Sequence, residues 1–388
     1  MELSRNRKWI EDLEELSLEL PKRHKNLFFS KSQEDFYEEI EILKRKVQYF
    51  DDYEMQVEIA KIVADIRDAH TSVSLRVRLI CPFELYWFSG GIYVINTIPE
   101  YKDIQYCKLT DINGIPIDEI IDTLTSIISY ENDSLLKSQL PKYLPAVEVL
   151  YGLEIVDEVD SLRITFEDRN KNRRELEIKS CKIEEVKEKL NKHTTQSNDM
   201  PLYRKNSHKY YWFKYIQAFN TVYFKYNACR EMENKSILDF GKELIEFINE
   251  NDVDKLIIDM RNNFGGNSTL LDPFIKELKS CDKINKKNKL FVIVGRETFS
   301  SALLNAFSLK ENTNAIFVGE STGGKPNCYG EVKRFSLKNS RLVVCYSTEY
   351  YSIIENNNQQ SFVPDINIEF TIENYIKNED PYLKYLLI

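Results

Sequence analysis

Three short apolar runs without alternation constrain this chain more than any other feature: Lys255–Met260, Leu290–Gly295 and Ala315–Val318. Runs of this kind suit strands covered on both faces. Between them lie stretches with helical spacing, Ser268–Leu278 and Ala302–Leu309. Strands alternating with helices imply βαβ units and a largely parallel sheet, here from residue 209 onward. Tyr210–Ile216 and Thr221–Tyr226 add two aromatic, β-branched strands, and Ile237, Leu238, Leu244, Ile245 and Ile248 mark an amphipathic helix.

Chemistry-bearing residues cluster where those elements join. Ser300 and Ser301 stand where the strand ending at Gly295 turns into a helix, which exposes a hydroxyl beside free helix N–H groups. The strand ending at Val318 runs into Gly319-Glu320-Ser321-Thr322-Gly323-Gly324-Lys325, whose tight turn presents Lys325. Taken singly, a serine before a helix is usually a cap, and a lysine in a glycine turn is usually solvated.

The combination resembles the catalytic core of the C-terminal processing (tail-specific) serine peptidases, family forty-one, with its tricorn-core branch. The resemblance rests on Ser300-Ser301-Ala302, on Val318–Lys325, and on Asp259-Met260-Arg261-Asn262-Asn263-Phe264-Gly265-Gly266 closing an apolar strand. Ser300 and Lys325 stand 25 residues apart, the separation associated with the family's Ser–Lys dyad. The resemblance implies a crotonase/Clp-like α/β catalytic domain and an acyl-enzyme on Ser300, with Ser301 as the other candidate nucleophile. Two backbone donors would stabilise the oxyanion, Ser301 N–H and that of Gly265 or Gly266. Lys325 is one candidate base. His70, in Asp68-Ala69-His70-Thr71, is the other, because the tricorn-like branch places a histidine comparably; a lone histidine is otherwise most often satisfied by backbone. A late acid would orient the base. Glu355 lies in a plausible region, and Val363 stands before Pro364-Asp365 where relatives often carry an acid. The resemblance implies no metal or organic cofactor.

The 388 residues exceed one ordinary core. The expected layout is an N-terminal helical region (1–77), a PDZ-like β-rich module with a helical insertion (78–180), a linker (181–208) and a catalytic domain (209–388). Helical stripes are Phe36, Ile40, Leu43, Val47 and Met55, Ile59, Ile62, Val63, Ile66. In the module, Pro82–Phe88 and Ile92–Ile95 flank Ser89-Gly90-Gly91, and Asn113-Gly114 joins two further strands before a helix over Asp118–Ile127. Residues 128–158 read as helical, and a second hairpin turns around Asn170. Pro201 marks a boundary, and Glu355–Gln360 is a loop by composition.

Net charge is −9 and the pI about 5.3, so nothing favours nucleic acid. No stretch is long enough to span a bilayer, and the N-terminus lacks a signal-peptide core. Seven cysteines without CxxC spacing fit reduced thiols in the cytoplasm, and the four histidines show no metal-ligand spacing. The expected partner is a peptide or unfolded protein, engaged partly as an added strand, and a homo-oligomer is compatible. Two other classes stay open: a catalytically weak binding protein on a peptidase fold, and a crotonase-like acyl-transfer enzyme.

Overall fold

The computed structural model describes residues 4–193, 200–355 and 358–388. The chain divides into two compact units. One takes Met1–Glu131, Leu136–Thr195 and Cys328–Tyr351; the other takes Asn132–Leu135, Gln196–Asn327 and Ser352–Ile388.

The first unit opens with helices Arg5–Arg23, Gln33–Lys46 and Asp52–Ala64. Ser32 and Asp51 cap the second and third by accepting backbone N–H bonds, and Asp51 with Glu54 completes a capping box. Both expected apolar stripes are buried throughout, from Phe36 to Val47 and from Met55 to Ile66. The hairpin Cys328–Ser336 and Val343–Tyr351, inside the range 209–388 expected for the catalytic domain, groups instead with this unit. Two long-range contacts explain it. Ser72–Ser74 pairs antiparallel with Val343–Cys345, and buried Asp12 accepts the N–H groups of Asn339 and Ser340 in the hairpin turn.

A second sheet in this unit has six strands. Phe83–Phe88, Gly91–Thr97, Lys108–Ile112, Ser161–Glu167 and Arg173–Lys179 lie side by side, and Ile115–Pro116 pairs with the third. Asn113 (φ 51°) and Gly114 (φ 80°) make the positive-φ turn that a two-residue hairpin needs. The expected helix after it runs Ile117–Thr125, and residues 128–158 carry helices Asp133–Tyr143 and Val147–Gly152. Of the expected linker, Ile183–His193 is helical, and residues 194–199 lie outside the described residues, as do 356–357 of the Asn-rich loop.

The second unit is built on a six-stranded sheet, numbered here β1 Tyr211–Ile216, β2 Thr221–Tyr226, β3 Lys255–Asp259, β4 Leu290–Val294, β5 Ile316–Gly319 and β6 Ile366–Asn367. They lie in chain order, and all neighbours after the antiparallel β1–β2 pair are parallel. Every residue of β4 is buried, as are Leu256, Ile257 and Ile258 of β3, as unalternated runs require. Helices α1 Ile237–Glu250, α2 Asp272–Lys279 and α3 Ser301–Asn312 supply the crossovers. The helix expected over Ser268–Leu278 is a 3-10 turn, Ser268–Leu271, followed by α2, because Pro273 fits the first turn of a helix and not its interior.

Candidate active site

Where β4 hands over to α3, the backbone bends sharply. Thr298 ties this bend down: its hydroxyl donates to the Met260 carbonyl (2.9 Å) and accepts the Gly295 N–H (3.0 Å). Ser300 follows at φ 54° and ψ −130°, a conformation costly for any side chain-bearing residue. As the residue before α3 it could have been a cap, yet its hydroxyl makes no capping bond. The strained turn therefore leaves a serine hydroxyl uncapped at the helix end, in the form of a nucleophile elbow. Ser301 is different. It is buried, and its hydroxyl donates to the Gly266 carbonyl at 2.8 Å, so it serves structure.

The elbow carries no glycine of its own beside Ser300; the space comes from elsewhere in the unit. A Cβ on Gly265 would lie 2.9 Å from Ser300 Cβ, 2.9 Å from Ser301 N and 3.0 Å from the Phe299 carbonyl oxygen. Gly265 has φ 102° and Gly266 φ 138°, so both positions require glycine. The expected grouping of Ser300, Ser301, Gly265 and Gly266 is thus present. Ser301 N–H, the first of α3, has no acceptor within the helix. Gly265 N–H, in contrast, already donates to Asn263 Oδ1 at 2.9 Å, which leaves Gly266 as the glycine donor.

The lysine turn lies on the same side of the unit. A Cβ on Gly324 would come 3.7 Å from Ser300 N. Thr322 fixes the turn by exchanging bonds with Phe362, N–H to carbonyl at 3.1 Å and N–H to hydroxyl at 3.0 Å. Asn132 adds a bond from Nδ2 to the Thr322 carbonyl (3.2 Å), and Arg296 pairs with Glu320 (2.7 Å). Lys325 itself is half-buried, and Glu355 is exposed. No hydrogen bond among the described residues engages the Glu355 carboxylate, so nothing in the unit ties it to a base.

His70 belongs to the first unit, where it is buried. Burial pushes its imidazole pKa down, against the pull of Asp68 and of a hydrogen bond to the Tyr329 backbone. Asp68 is wholly buried at the centre of a polar cluster. Its carboxylate accepts bonds from His70 N–H (3.0 Å), Thr71 Oγ1 (2.5 Å) and Ser347 Oγ (2.6 Å). His24 Nδ1 accepts the Asn26 N–H, so its Nε2 carries the proton and donates to Asp68 at 3.0 Å. Burial opposes ionisation of Asp68, but these partners, His24 foremost, hold its pKa below the ordinary carboxylate value. Asp68 Oδ1 lies 4.0 Å from His70 Nδ1.

Comparison with known proteins bears on the fold. Residues 275–368, which hold the elbow and the lysine turn, match the model of Peptidase family S41. The fold of the chain is similar to that of mature CPAF (TM-score 0.67, 13% identity, 98% of this chain and 96% of that one). The complex of mature CPAF with lactacystin gives a TM-score of 0.66 at 13% identity, covering 98% and 97%. A putative peptidase from Parabacteroides merdae gives 0.50 at 13%, covering 100% and 98%. No curated protein matches the chain in sequence.

Two residues that shape these clusters are not singled out by the sequence. Asn263 lies within the Asp259–Gly266 block, and an Asn two residues before a glycine is a signal for a side chain that bonds the backbone two residues on. Asp68 lies in Asp-x-His-Thr, whereas the sequence points to Glu355 for the acid. Among the described residues no group of three or more His, Cys, Asp or Glu side chains is placed to hold a metal ion.

Proposed function

We propose that this chain is a serine peptidase of the S41 type that cleaves peptide bonds through an acyl-enzyme on Ser300. The observation that carries the reading is the strained, uncapped Ser300 with Ser301 N–H beside it and a glycine turn packed on its Cβ. The hydroxyl attacks the peptide carbonyl, a base takes its proton, and water later releases the acyl group. Backbone N–H groups of Ser301 and Gly266 bind the developing oxyanion.

The base is His70 or Lys325. A neutral imidazole has one N–H and one basic nitrogen, and burial keeps His70 neutral at neutral pH. The Tyr329 backbone holds the ring, and Asp68 stands where it would stabilise the imidazolium that proton transfer creates. Lys325 sits half-buried in the glycine turn that packs on Ser300 N. Glu355, exposed, is the weaker candidate for the supporting acid.

The six-stranded sheet of residues 83–179 with its helix Ile117–Thr125 supports a PDZ-like module. It has a cleft of about 340 Å³ lined by Trp87, Ile92, Ile117 and Ile121, with Lys108 and Arg173 among its walls. Asp111 and Asp118 stand in the same walls and balance those cations, so the lining suits an apolar side chain of a peptide.

The deciding experiment is labelling with a fluorophosphonate probe and cleavage of an unfolded protein, comparing wild type with Ser300→Ala, His70→Ala and Lys325→Ala, each shown to be folded by circular dichroism. Loss in Ser300→Ala and in one of the two base variants is expected. Loss in His70→Ala would assign the base to His70, and loss in Lys325→Ala would assign it to Lys325. A folded wild type that neither labels nor cleaves would make the chain a binding protein on a peptidase fold.

A further inference from the structure

The Gly265-Gly266 turn has four backbone polar groups, and three of them are engaged. Gly265 N–H donates to Asn263 Oδ1 (2.9 Å). The Gly265 carbonyl accepts the Cys229 N–H (3.0 Å), and the Gly266 carbonyl accepts the Ser301 hydroxyl (2.8 Å). Only Gly266 N–H has no hydrogen bond among the described residues. A trans peptide points its N–H opposite to its carbonyl, and the chain has no cis peptide among the described residues. Because the Gly265 carbonyl is aimed at Cys229, the N–H of that same peptide plane, which is Gly266 N–H, is aimed away from Cys229.

Asn263 is the residue that makes this choice. Its side chain is fully buried and bonded at both ends: Oδ1 takes the Gly265 N–H, and Nδ2 donates to the Tyr226 carbonyl (3.2 Å). The Cys229 thiol also donates to Oδ1 (3.6 Å), and the Asn263 carbonyl accepts Phe299 N–H (3.1 Å), one residue before the nucleophile. Without the Oδ1 acceptor, Gly265 N–H would be buried and unsatisfied. A glycine pair at positive φ can rotate its peptide planes with little steric penalty to reach another acceptor. Such a rotation would carry the Gly266 N–H off its present direction and bring a carbonyl round in its place.

We propose that Asn263 is a positioning residue for the oxyanion site: it holds Gly265 N–H out of the reaction and thereby presents Gly266 N–H, with Ser301 N–H, to the tetrahedral intermediate. This rests on the acyl-enzyme reading above. A group that acts only on the intermediate changes kcat and leaves ground-state binding alone.

The test uses a peptide boronic acid, to which Ser300 Oγ adds while its proton passes to the base, giving an anionic tetrahedral boron. In the ¹⁵N-glycine spectrum of the full-length wild type, which has 12 glycines, the adduct is expected to shift the Gly266 amide. The Gly265 amide should stay in place and protected from hydrogen exchange. Asn263→Ala should lower kcat about 10²-fold with KM within about twofold, and boronate affinity should fall in parallel. Peptide affinity in a Ser300→Ala background should be unchanged. Asn263→Asp, which keeps an acceptor for Gly265 N–H, should recover part of the loss. A shift at Gly265 in place of Gly266, or wild-type kcat in folded Asn263→Ala, would overturn the proposal; should that variant not fold, the wild-type spectrum decides. A wild type that does not react with the boronate or the fluorophosphonate refutes the acyl-enzyme reading itself, which is a different result from normal reactivity with unaltered Asn263 variants.

Discussion

Replacing Gly265 by alanine tests the contact on which the site is built. The new methyl group would lie 2.9 Å from Ser300 Cβ, 2.9 Å from Ser301 N and 3.0 Å from the Phe299 carbonyl oxygen. None of these atoms is the end of a flexible side chain, so relief requires the elbow and the turn to separate. Ordinary contact begins near 3.4 Å, which sets the movement at about half an ångström. The φ of 102° adds strain of about 1–2 kcal/mol for a residue with a Cβ, and overpacking adds about 1–3 kcal/mol. The sum is about 2–5 kcal/mol. For units of this size 1 kcal/mol corresponds to roughly 2–4 °C, so Tm should fall by roughly 4–20 °C. Activity should fall further than stability, because oxyanion donors must sit within about 2.7–3.1 Å of the oxygen and loss of one costs about 10²–10³ in kcat. Scanning calorimetry for Tm, and fluorophosphonate labelling rates at 25 °C, below the transition, measure the two effects. A variant with wild-type Tm and wild-type labelling would refute the close approach of the glycine turn to the serine.

Ser301→Ala should still label, with stability lowered by about 1 kcal/mol for the lost bond to Gly266, as urea denaturation would show; abolished labelling would make Ser301 the nucleophile. Asp380→Asn should cost about 3 kcal/mol, because it weakens the bidentate pair on the buried Arg261 guanidinium, and an unchanged urea midpoint would count against that clamp. His70, depressed by burial, stays neutral in the fold while the unfolded chain takes up its proton below about pH 6.5. Stability should therefore drop as pH falls below that value, and His70→Gln should flatten this slope in thermal melts. Asp259 is opposed by burial but held at about 2 by Arg261, Lys225 and Tyr223. Its contribution is present above the ordinary value of 3.8 and lost as pH falls towards 2; Asp259→Asn should remove that acid-limb loss in the same melts.

What could be read from the chain alone was the part encoded by near neighbours. The unalternated runs at Leu256–Ile258 and Leu290–Val294 specify doubly covered strands, because only a sheet with helices on both faces hides every side chain of such a run. Gly265-Gly266 and the Ser300-to-helix junction are likewise local, and their grouping followed from the resemblance to family forty-one. Composition could not say which serine was free. That required seeing Ser301 bonded to Gly266, a residue 35 positions away, and Ser300 left without a cap. Nor could spacing assign the acid beside His70. Asp68 is held by His24 and by Ser347, 44 and 279 residues distant, and a carboxylate stays ionised in a core only because such partners converge on it. The hairpin Cys328–Tyr351 shows the same limit: its unit was settled by Asp12 and by Ser72–Ser74, since backbone groups in a hairpin pair with whichever strand and cap the packed chain brings to them.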